Sequence, residues 1–200
     1  MKSPFSFIVK PIEGKRYNNT KKIGNIDFIV STSIEDHKFS NRYAEVLELP
    51  ISYKGSIEVG DTLLVHHNVF KYYNDIKGNQ QSGKSFFQDN KFFVELDQFF
   101  MYKNKNGWNA YDKYCFVEPA EVEDSYIYKP ISKEPLLGIM KYPNEYLKKQ
   151  GIKEGTKVSF KPESEYEFII DDKTYYRIYD HQITLSLWVE NGIGWIIIRL

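Results

Sequence analysis

Apolar and polar side chains alternate in short runs along most of this chain, as in residues 5–11, 43–49 and 91–102. This period predicts β-strands, because successive side chains of a strand point to opposite faces of the sheet. Only residues 144–150 show a helical period, and they span about two turns. Gly, Pro, Asn and Asp separate the runs, a pattern typical of barrels and sandwiches. The sequence therefore predicts an all-β protein.

The predicted strands recur in the same order in the two halves of the chain, which indicates an internal repeat. The matching segments are residues 8–11, 44–47 and 57–65 in the first half and residues 116–119, 137–140 and 152–160 in the second. We therefore expect two domains, residues 1–104 and residues 110–200, joined by a linker with a turn at Asn106-Gly107.

The first predicted domain contains two long polar segments that the second lacks. Residues 15–40 form a long loop, and residues 74–90 form an insertion rich in Asn, Gln, Lys and Ser. A tight hairpin at residues 169–175 takes the place of this insertion in the second half. Loops as long as residues 15–40 are usually either functional or disordered.

An apolar island lies inside the long loop and includes Ile26, Phe28, Ile29 and Val30. Such a cluster is unfavourable when it is exposed to water without a partner. It therefore either docks on its own domain or forms a recognition segment that becomes ordered in an apolar groove of another protein. In the second case these four residues are the candidate partner-binding site.

The chain ends with a strong hairpin signal that the first half lacks. Asn191-Gly192 suits a type I′ turn, because both residues tolerate positive φ angles. The strand after this turn has no polar alternation, so it should be buried on both faces, under its own domain or against another subunit. The candidate assembly residues are Trp195, Ile196, Ile197 and Ile198.

Residues 78–85, GNQQSGKS, match the P-loop pattern letter for letter. A P-loop needs a strand before it and a helix after it, so that helix N–H groups face the phosphates. The sequence predicts neither element here. We therefore interpret the match as part of a flexible polar insertion, and nucleotide binding is an alternative that rests on this match alone.

The other candidates for chemistry have structural explanations. His66 and His67 follow a strand, so we expect their rings on opposite faces, where they cannot easily share a metal ion. Asp97 and Asp180 occupy similar places in the two repeats and indicate a shared turn. Cys115 lies in an apolar run and is predicted to be buried. We expect no enzyme activity, no cofactor and no bound metal.

Composition argues against several classes of partner. The chain has 27 basic and 27 acidic residues, so it lacks the net charge with which proteins bind nucleic acid or acidic membranes. No run approaches the roughly 18 apolar residues of a membrane span, and the N-terminus lacks the apolar segment of a signal peptide. A single cysteine cannot form an internal disulfide and fits a reducing compartment. We expect a cytoplasmic protein.

The order of these features resembles that of the GroES co-chaperonin family, over nearly the whole chain to about residue 187. In the first half the resemblance is carried by residues 7–11, the long loop with Ile29-Val30, and residues 44–47, 59–65 and 93–99. The second half repeats it with residues 117, 138–140, 154–158 and 183. The chain is also similar to co-chaperonin-like proteins encoded by tailed bacterial viruses, which have a comparable insertion after a segment like residues 66–70.

This resemblance implies two tandem, partly open GroES-like β-barrels, assembled into a homo-oligomeric ring. The predicted C-terminal β-hairpin is an extension that departs from the family's pattern. It also implies that a mobile loop binds a GroEL-like chaperonin through a short apolar tripeptide, here Phe28, Ile29 and Val30. Each loop would bind weakly, and a ring of loops would recover affinity through multivalency. The protein would cap the chaperonin and assist protein folding, in the cytoplasm of a bacterial host if it is viral.

A second hypothesis is a structural component of a viral particle, a ring or connector built from the same domains. The family's roof hairpin is shortened here to residues 51–56, and the second copy has only residues 125–135 in place of the mobile loop. The apolar final strand could also add to a neighbour's sheet. In this case the protein would reside in the virion.

Overall fold

The computed structural model describes residues 2–24, 26–29, 39–120, 136–189 and 195–199. The chain divides into two compact units, residues 1–107 and residues 108–200. Strands dominate both units, and two seven-stranded sheets contain most of them. The all-β prediction is therefore confirmed.

The first sheet takes most of its strands from the first unit. The strands in this part of the chain are β1 (Phe7–Pro11), β2 (Thr20–Ile23), β3 (Ile26–Ile29), β4 (Tyr43–Glu48), β5 (Thr62–Val65), β6 (Tyr72–Asn74), β7 (Gln80–Ser82), β8 (Phe86–Gln88), β9 (Lys91–Val94), β10 (Phe99–Asn104) and β11 (Gly107–Ala110). The sheet order is β11-β10-β5-β4-β1-β9-β8, while β2–β3 and β6–β7 form separate two-stranded sheets.

The second sheet lies in the second unit and has the order β15-β16-β12-β13-β14-β17-β18. Its elements are β12 (Tyr114–Pro119), β13 (Leu137–Tyr142), α1 (Glu145–Lys149), β14 (Lys157–Phe160), β15 (Tyr166–Ile170), β16 (Lys173–Tyr179), β17 (Ile183–Val189) and β18 (Trp195–Arg199). Within the described residues neither seven-stranded sheet closes on itself, so the strand pairings show an all-β fold, and the two partly open GroES-like barrels stay a prediction.

The two sheets match strand for strand. Reading from one edge, β8, β9, β1, β4, β5, β10 and β11 correspond to β15, β16, β12, β13, β14, β17 and β18. The first strand of each copy also has a register irregularity at the same place, between Ile8 and Val9 and between Phe116 and Val117. The repeat predicted from the sequence is thus confirmed at the level of strand order.

Backbone hydrogen bonds extend this correspondence to single residues. The N–H of Gly60 donates to Val46 O at 2.8 Å, and the N–H of Gly155 donates to Met140 O at 2.8 Å. Both glycines have φ near +90°, a backbone conformation that residues other than glycine rarely adopt. Val46 therefore corresponds to Met140. The sequence alignment of the middle strands matches Met140 to Leu47 instead and is wrong by one position.

The turns before β10 and β17 are also shared. Each is closed by a glutamine side chain that accepts a hydrogen bond from the backbone N–H three residues earlier, Gln98 at 3.0 Å and Gln182 at 2.9 Å. Asp97 and Asp180 lie in these two turns. Their similar places in the sequence thus reflect a common turn, as predicted.

The terminal hairpin has a counterpart in the first copy, contrary to the sequence-based expectation. Strands β10 and β11 occupy the same sheet positions as β17 and β18, and Asn106-Gly107 stands at their turn, with φ +105° at Gly107. The segment predicted as a linker is therefore a strand. The error arose because β11 is short and mixes Trp108 with polar Asn109, so it lacks a strand-like apolar run.

The tight hairpin of the second half matches β8–β9 and not the insertion. Asp89 and Asn90 join β8 to β9 with positive φ, as Asp171 and Asp172 join β15 to β16. Two consecutive positive φ angles are the geometry of a type I′ turn. The extra residues of the first copy therefore precede β8, where residues 66–85 separate β5 from β8.

Each unit has an apolar core of its own. In the first, the buried ring of Phe7 packs edge-on against Phe99, with ring centroids 5.5 Å apart. In the second, Leu147 of α1 packs with buried side chains of the sheet, Met140 among them. The Asn144 side chain caps α1 by accepting a hydrogen bond from the Leu147 N–H, which confirms the short predicted helix. Among the described residues, no helix has the length and apolarity needed to cross a membrane.

Candidate partner-binding hairpin

The apolar island folds as one strand of the β2–β3 hairpin. Ile26, Phe28 and Ile29 have exposed fractions of 63%, 47% and 66%. Ile23, on the opposite strand, is 59% exposed. These side chains therefore do not dock on their own domain, which was one of the two possibilities left open by the sequence. Val30 lies outside the described residues.

Three of the exposed side chains share one face of the hairpin. Ile23 and Ile26 are paired directly across the two strands. Phe28 lies two residues beyond Ile26 on the same strand, so it points to the same face. Ile29 points to the opposite face by the same rule. A contiguous exposed apolar face of this kind typically marks an interaction site.

The base of the loop is fixed by a short ladder of backbone hydrogen bonds. The N–H of Asn18 donates to Phe39 O at 2.8 Å, the N–H of Asn41 donates to Arg16 O at 2.9 Å, and Tyr17 forms a β-bridge with Ser40 between them. We refer to residues 16–18 and 39–41 as the base. The hairpin thus leaves the domain from two chain segments that are held together.

Asn41 strengthens the base from inside. Its buried side-chain amide donates to the carbonyl oxygens of Ile12 and Lys15, at 3.1 and 2.8 Å, and its Oδ1 accepts from the Tyr43 N–H. An open polar cavity of about 320 Å³ adjoins these groups. Its lining residues are Ile12, Glu13, Lys15, Asn18, Thr20, Asn41 and Tyr43. Because the Asn41 amide is already satisfied by the backbone, its role here is structural.

Arg16 and Tyr72 also hold the base, and neither residue was predicted from the sequence. The Arg16 guanidinium is buried, and its Cζ lies 3.5 Å from the centroid of the Tyr72 ring. The Tyr17 ring also stacks on the Tyr72 ring, with ring centroids 5.8 Å apart. Burial raises the pKa of the Tyr17 hydroxyl. Burial lowers the pKa of Arg16. The available signal was an Arg-Tyr pair, Arg16-Tyr17, and a Tyr-Tyr pair, Tyr72-Tyr73, near the starts of the two polar segments. No sequence pattern indicates that these two pairs are in contact.

The P-loop match does not have P-loop geometry. Residues 80–82 form β7, which pairs with β6 as a hairpin, and Gly78 lies in its turn with φ +80°. Ser85 is followed by β8, where a P-loop would require a helix. The backbone therefore does not form a helix N-terminus that could face phosphates at this segment.

His66 and His67 lie closer together than the sequence predicted. Strand β5 ends at Val65, so both histidines are in the turn that follows, and their ring centroids are 4.1 Å apart. The expectation of opposite faces is wrong because strand alternation does not continue past the strand's end. Over the described part of the chain, no group of three His, Cys, Asp or Glu residues is placed to hold a metal ion.

Cys115 is a buried structural residue. Its Sγ lies 3.6 Å from Ile178 O, and burial strongly raises the pKa of the thiol. Both features disfavour the thiolate, the reactive form of cysteine. The prediction that Cys115 is buried is confirmed.

The candidate assembly residues Trp195, Ile196, Ile197 and Ile198 form most of β18, the edge strand of the second sheet. β18 pairs with β17 in regular antiparallel register. An edge strand is where another chain can add by backbone pairing. Assembly through these residues remains a prediction.

Comparison with known proteins adds no family to this picture, because no protein-family model and no curated protein matches the chain.

Proposed function

We propose that this protein is a non-enzymatic, co-chaperonin-like protein that uses the β2–β3 hairpin to cap a GroEL-like chaperonin. The observation that carries the proposal is the exposed apolar face formed by Ile23, Ile26 and Phe28 on a hairpin with a fixed base. The proposal also draws on the GroES resemblance of the sequence, including two tandem barrel-like domains and assembly into a homo-oligomeric ring.

The size of the apolar face suits a weak, repeated contact. Burying one large aliphatic or aromatic side chain contributes about 1.5–3 kcal/mol. Since these side chains are about half to two-thirds exposed, each adds about 1–2 kcal/mol and the three together about 3–5 kcal/mol. Association costs at least about 4 kcal/mol, so one hairpin binds weakly. Several hairpins on one ring would bind firmly and still release.

A capture experiment with an immobilised GroEL-type chaperonin, with and without ATP, tests the proposal. We expect the wild-type protein to be retained in the presence of nucleotide. The double variant Ile26→Ser, Phe28→Ser removes about 2–4 kcal/mol per hairpin, so its affinity should fall at least about thirtyfold. The matched control is Ile51→Ser, because Ile51 is 69% exposed in the same unit but lies outside the hairpin.

The outcome is decisive in two ways. Absence of capture by the wild-type protein, or equal capture of the double variant, would contradict the proposal. An equal loss of retention in the Ile51→Ser control would show that nonspecific apolar contacts, and not the hairpin face, hold the protein on the chaperonin. Circular dichroism of each variant should be unchanged, because the substituted side chains are exposed.

A second candidate function is a structural component of a viral particle. The position of β18, an apolar sequence at the edge of an open sheet, favours it, because edge strands can extend a neighbour's sheet. Stoichiometric recovery of the protein in purified particles, and not in the soluble fraction of the host cytoplasm, would support this function over the first.

A further inference from the structure

The long loop and the insertion of the first copy meet at one side chain, Arg16. Its Nε donates to Phe70 O at 2.7 Å and its Nη2 donates to Lys71 O at 3.2 Å, just before β6. Its Nη1 donates to Ser82 Oγ at 2.9 Å, on the returning strand β7. Arg16 therefore binds the segment that leads into β6 and the end of β7. In the second copy only residues 161–165 stand between β14 and β15, so the β6–β7 hairpin has no counterpart.

Aromatic contacts complete the junction. The guanidinium lies over the Tyr72 ring, and a cation over an aromatic face is stabilised when it is removed from water. The Tyr72 N–H donates to the Tyr17 hydroxyl at 2.9 Å, and the two tyrosine rings are nearly parallel, at 7°. Arg16 has an exposed fraction of only 8%. Removing such a charge from water is costly, and the three hydrogen bonds and the Tyr72 ring offset part of this cost.

The same residues belong to the base of the long loop. Arg16 O accepts the hydrogen bond from the Asn41 N–H, and Tyr17 bridges to Ser40. The Arg16 side chain thus binds the insertion at Ser82, while the Arg16 backbone binds Asn41 on the other segment of the base. Neither contact involves the apolar residues of the β2–β3 hairpin.

We infer that Arg16 is a positioning residue, which uses the insertion as a brace to hold the base of the partner-binding hairpin in place. This inference rests on the proposed function of that hairpin. A base that is ordered beforehand does not have to be ordered during binding. Fixing the backbone of one residue costs about 1–2 kcal/mol, so each residue that becomes ordered only on binding should weaken binding about tenfold.

The test compares Arg16→Gln and Arg16→Lys with Lys15→Gln as the matched control. Lys15→Gln removes the same charge from an exposed neighbouring position. Arg16→Lys keeps the charge but lacks the planar fork that reaches three acceptors, so it should resemble Arg16→Gln. Ser82→Ala removes one of the three hydrogen bonds and provides a milder variant if the Arg16 variants fold poorly.

The first measurement is hydrogen exchange in the full-length protein without a partner. Amides of Asn18, Asn41 and Tyr72 should exchange at least about tenfold faster in both Arg16 variants and remain unchanged in Lys15→Gln. The second is chaperonin capture, which should weaken about tenfold or more in the Arg16 variants, and less in Ser82→Ala, although the apolar face is intact.

The two readouts separate this inference from the proposed function. Unchanged exchange of the base amides would overturn the inference whatever the partner is. Faster exchange with full capture would also overturn it, because the base would then be irrelevant to binding. If the wild-type protein fails to capture a chaperonin, the proposed function falls, and faster exchange in the Arg16 variants alone would still support the brace.

Discussion

Gly138 and Ala44 occupy corresponding positions in the two copies, opposite Pro119 and Pro11, yet the structure predicts that they are not interchangeable. A Cβ built on Gly138 would lie 2.9 Å from Glu118 O and 2.9 Å from Val117 Cγ2. Carbon atoms pack favourably at about 3.5–4.0 Å. Because Val117 belongs to the buried core of the second unit, it has little room to move.

The sign of the change in the free energy of unfolding caused by Gly138→Ala shows whether steric overlap or chain entropy is the larger effect. Gly138 does not have a positive φ, so the backbone accepts alanine and chain entropy alone would stabilise the protein by about 0.4–1 kcal/mol. Overpacking a core costs about 1–3 kcal/mol. We expect overpacking to win and the second unit to lose about 1–2 kcal/mol, which lowers its melting temperature by about 5–15 °C.

Tryptophan fluorescence during urea unfolding measures this effect selectively. Trp188 and Trp195 lie on β17 and β18 of the second sheet, and the measurement is made in a Trp108→Phe background, because Trp108 lies on β11 of the first sheet. The reciprocal change Ala44→Gly is the control, since it removes a buried methyl from the first unit at a cost of about 1–2 kcal/mol and should leave the fluorescence transition in place. A Gly138→Ala protein as stable as the wild type would refute the reasoning.

Two further predictions concern single residues. Cys115 should resist thiol reagents at pH 8 in the native protein and react fully in denaturant, because burial blocks access to the thiol and raises its pKa. Rapid labelling of the native protein, measured by mass spectrometry, would contradict this. Calorimetry with ATP and Mg²⁺ should detect no binding, since Lys84 lies between the strands β7 and β8, where a P-loop requires a helix to follow. An affinity that disappears in Lys84→Ala would show that the P-loop match is functional.

The strands and their order could be predicted because their signals are local. Gly60 and Gly155 mark equivalent turns directly in the sequence, and the alternation of side chains identifies the strands around them. The hairpin at β10–β11 escaped prediction because its second strand is four residues long and all half-buried, so no face of it is clearly apolar. Its Asn-Gly turn signal was present but was assigned to a linker.

The candidate site was only partly predictable. The apolar island in the long loop was evident from the sequence, but its exposure was not, since an apolar segment can equally dock on its own domain. Arg16 was missed for a different reason. Its hydrogen-bond partners lie 54 to 66 residues away in the chain, and two of the three are backbone carbonyls, which any residue type provides. Such contacts depend on the fold and leave no pattern of residue types.

The correspondence between β11 and β18 has a consequence for expressing one copy alone. Because both copies end in the same hairpin, each copy has seven strands, and residues 111–113 connect β11 to β12. A fragment that ends at residue 104 would lose β11 and expose β10 as a new sheet edge, which invites pairing with another chain. A fragment that ends at residue 110 keeps the edge strand of the first sheet.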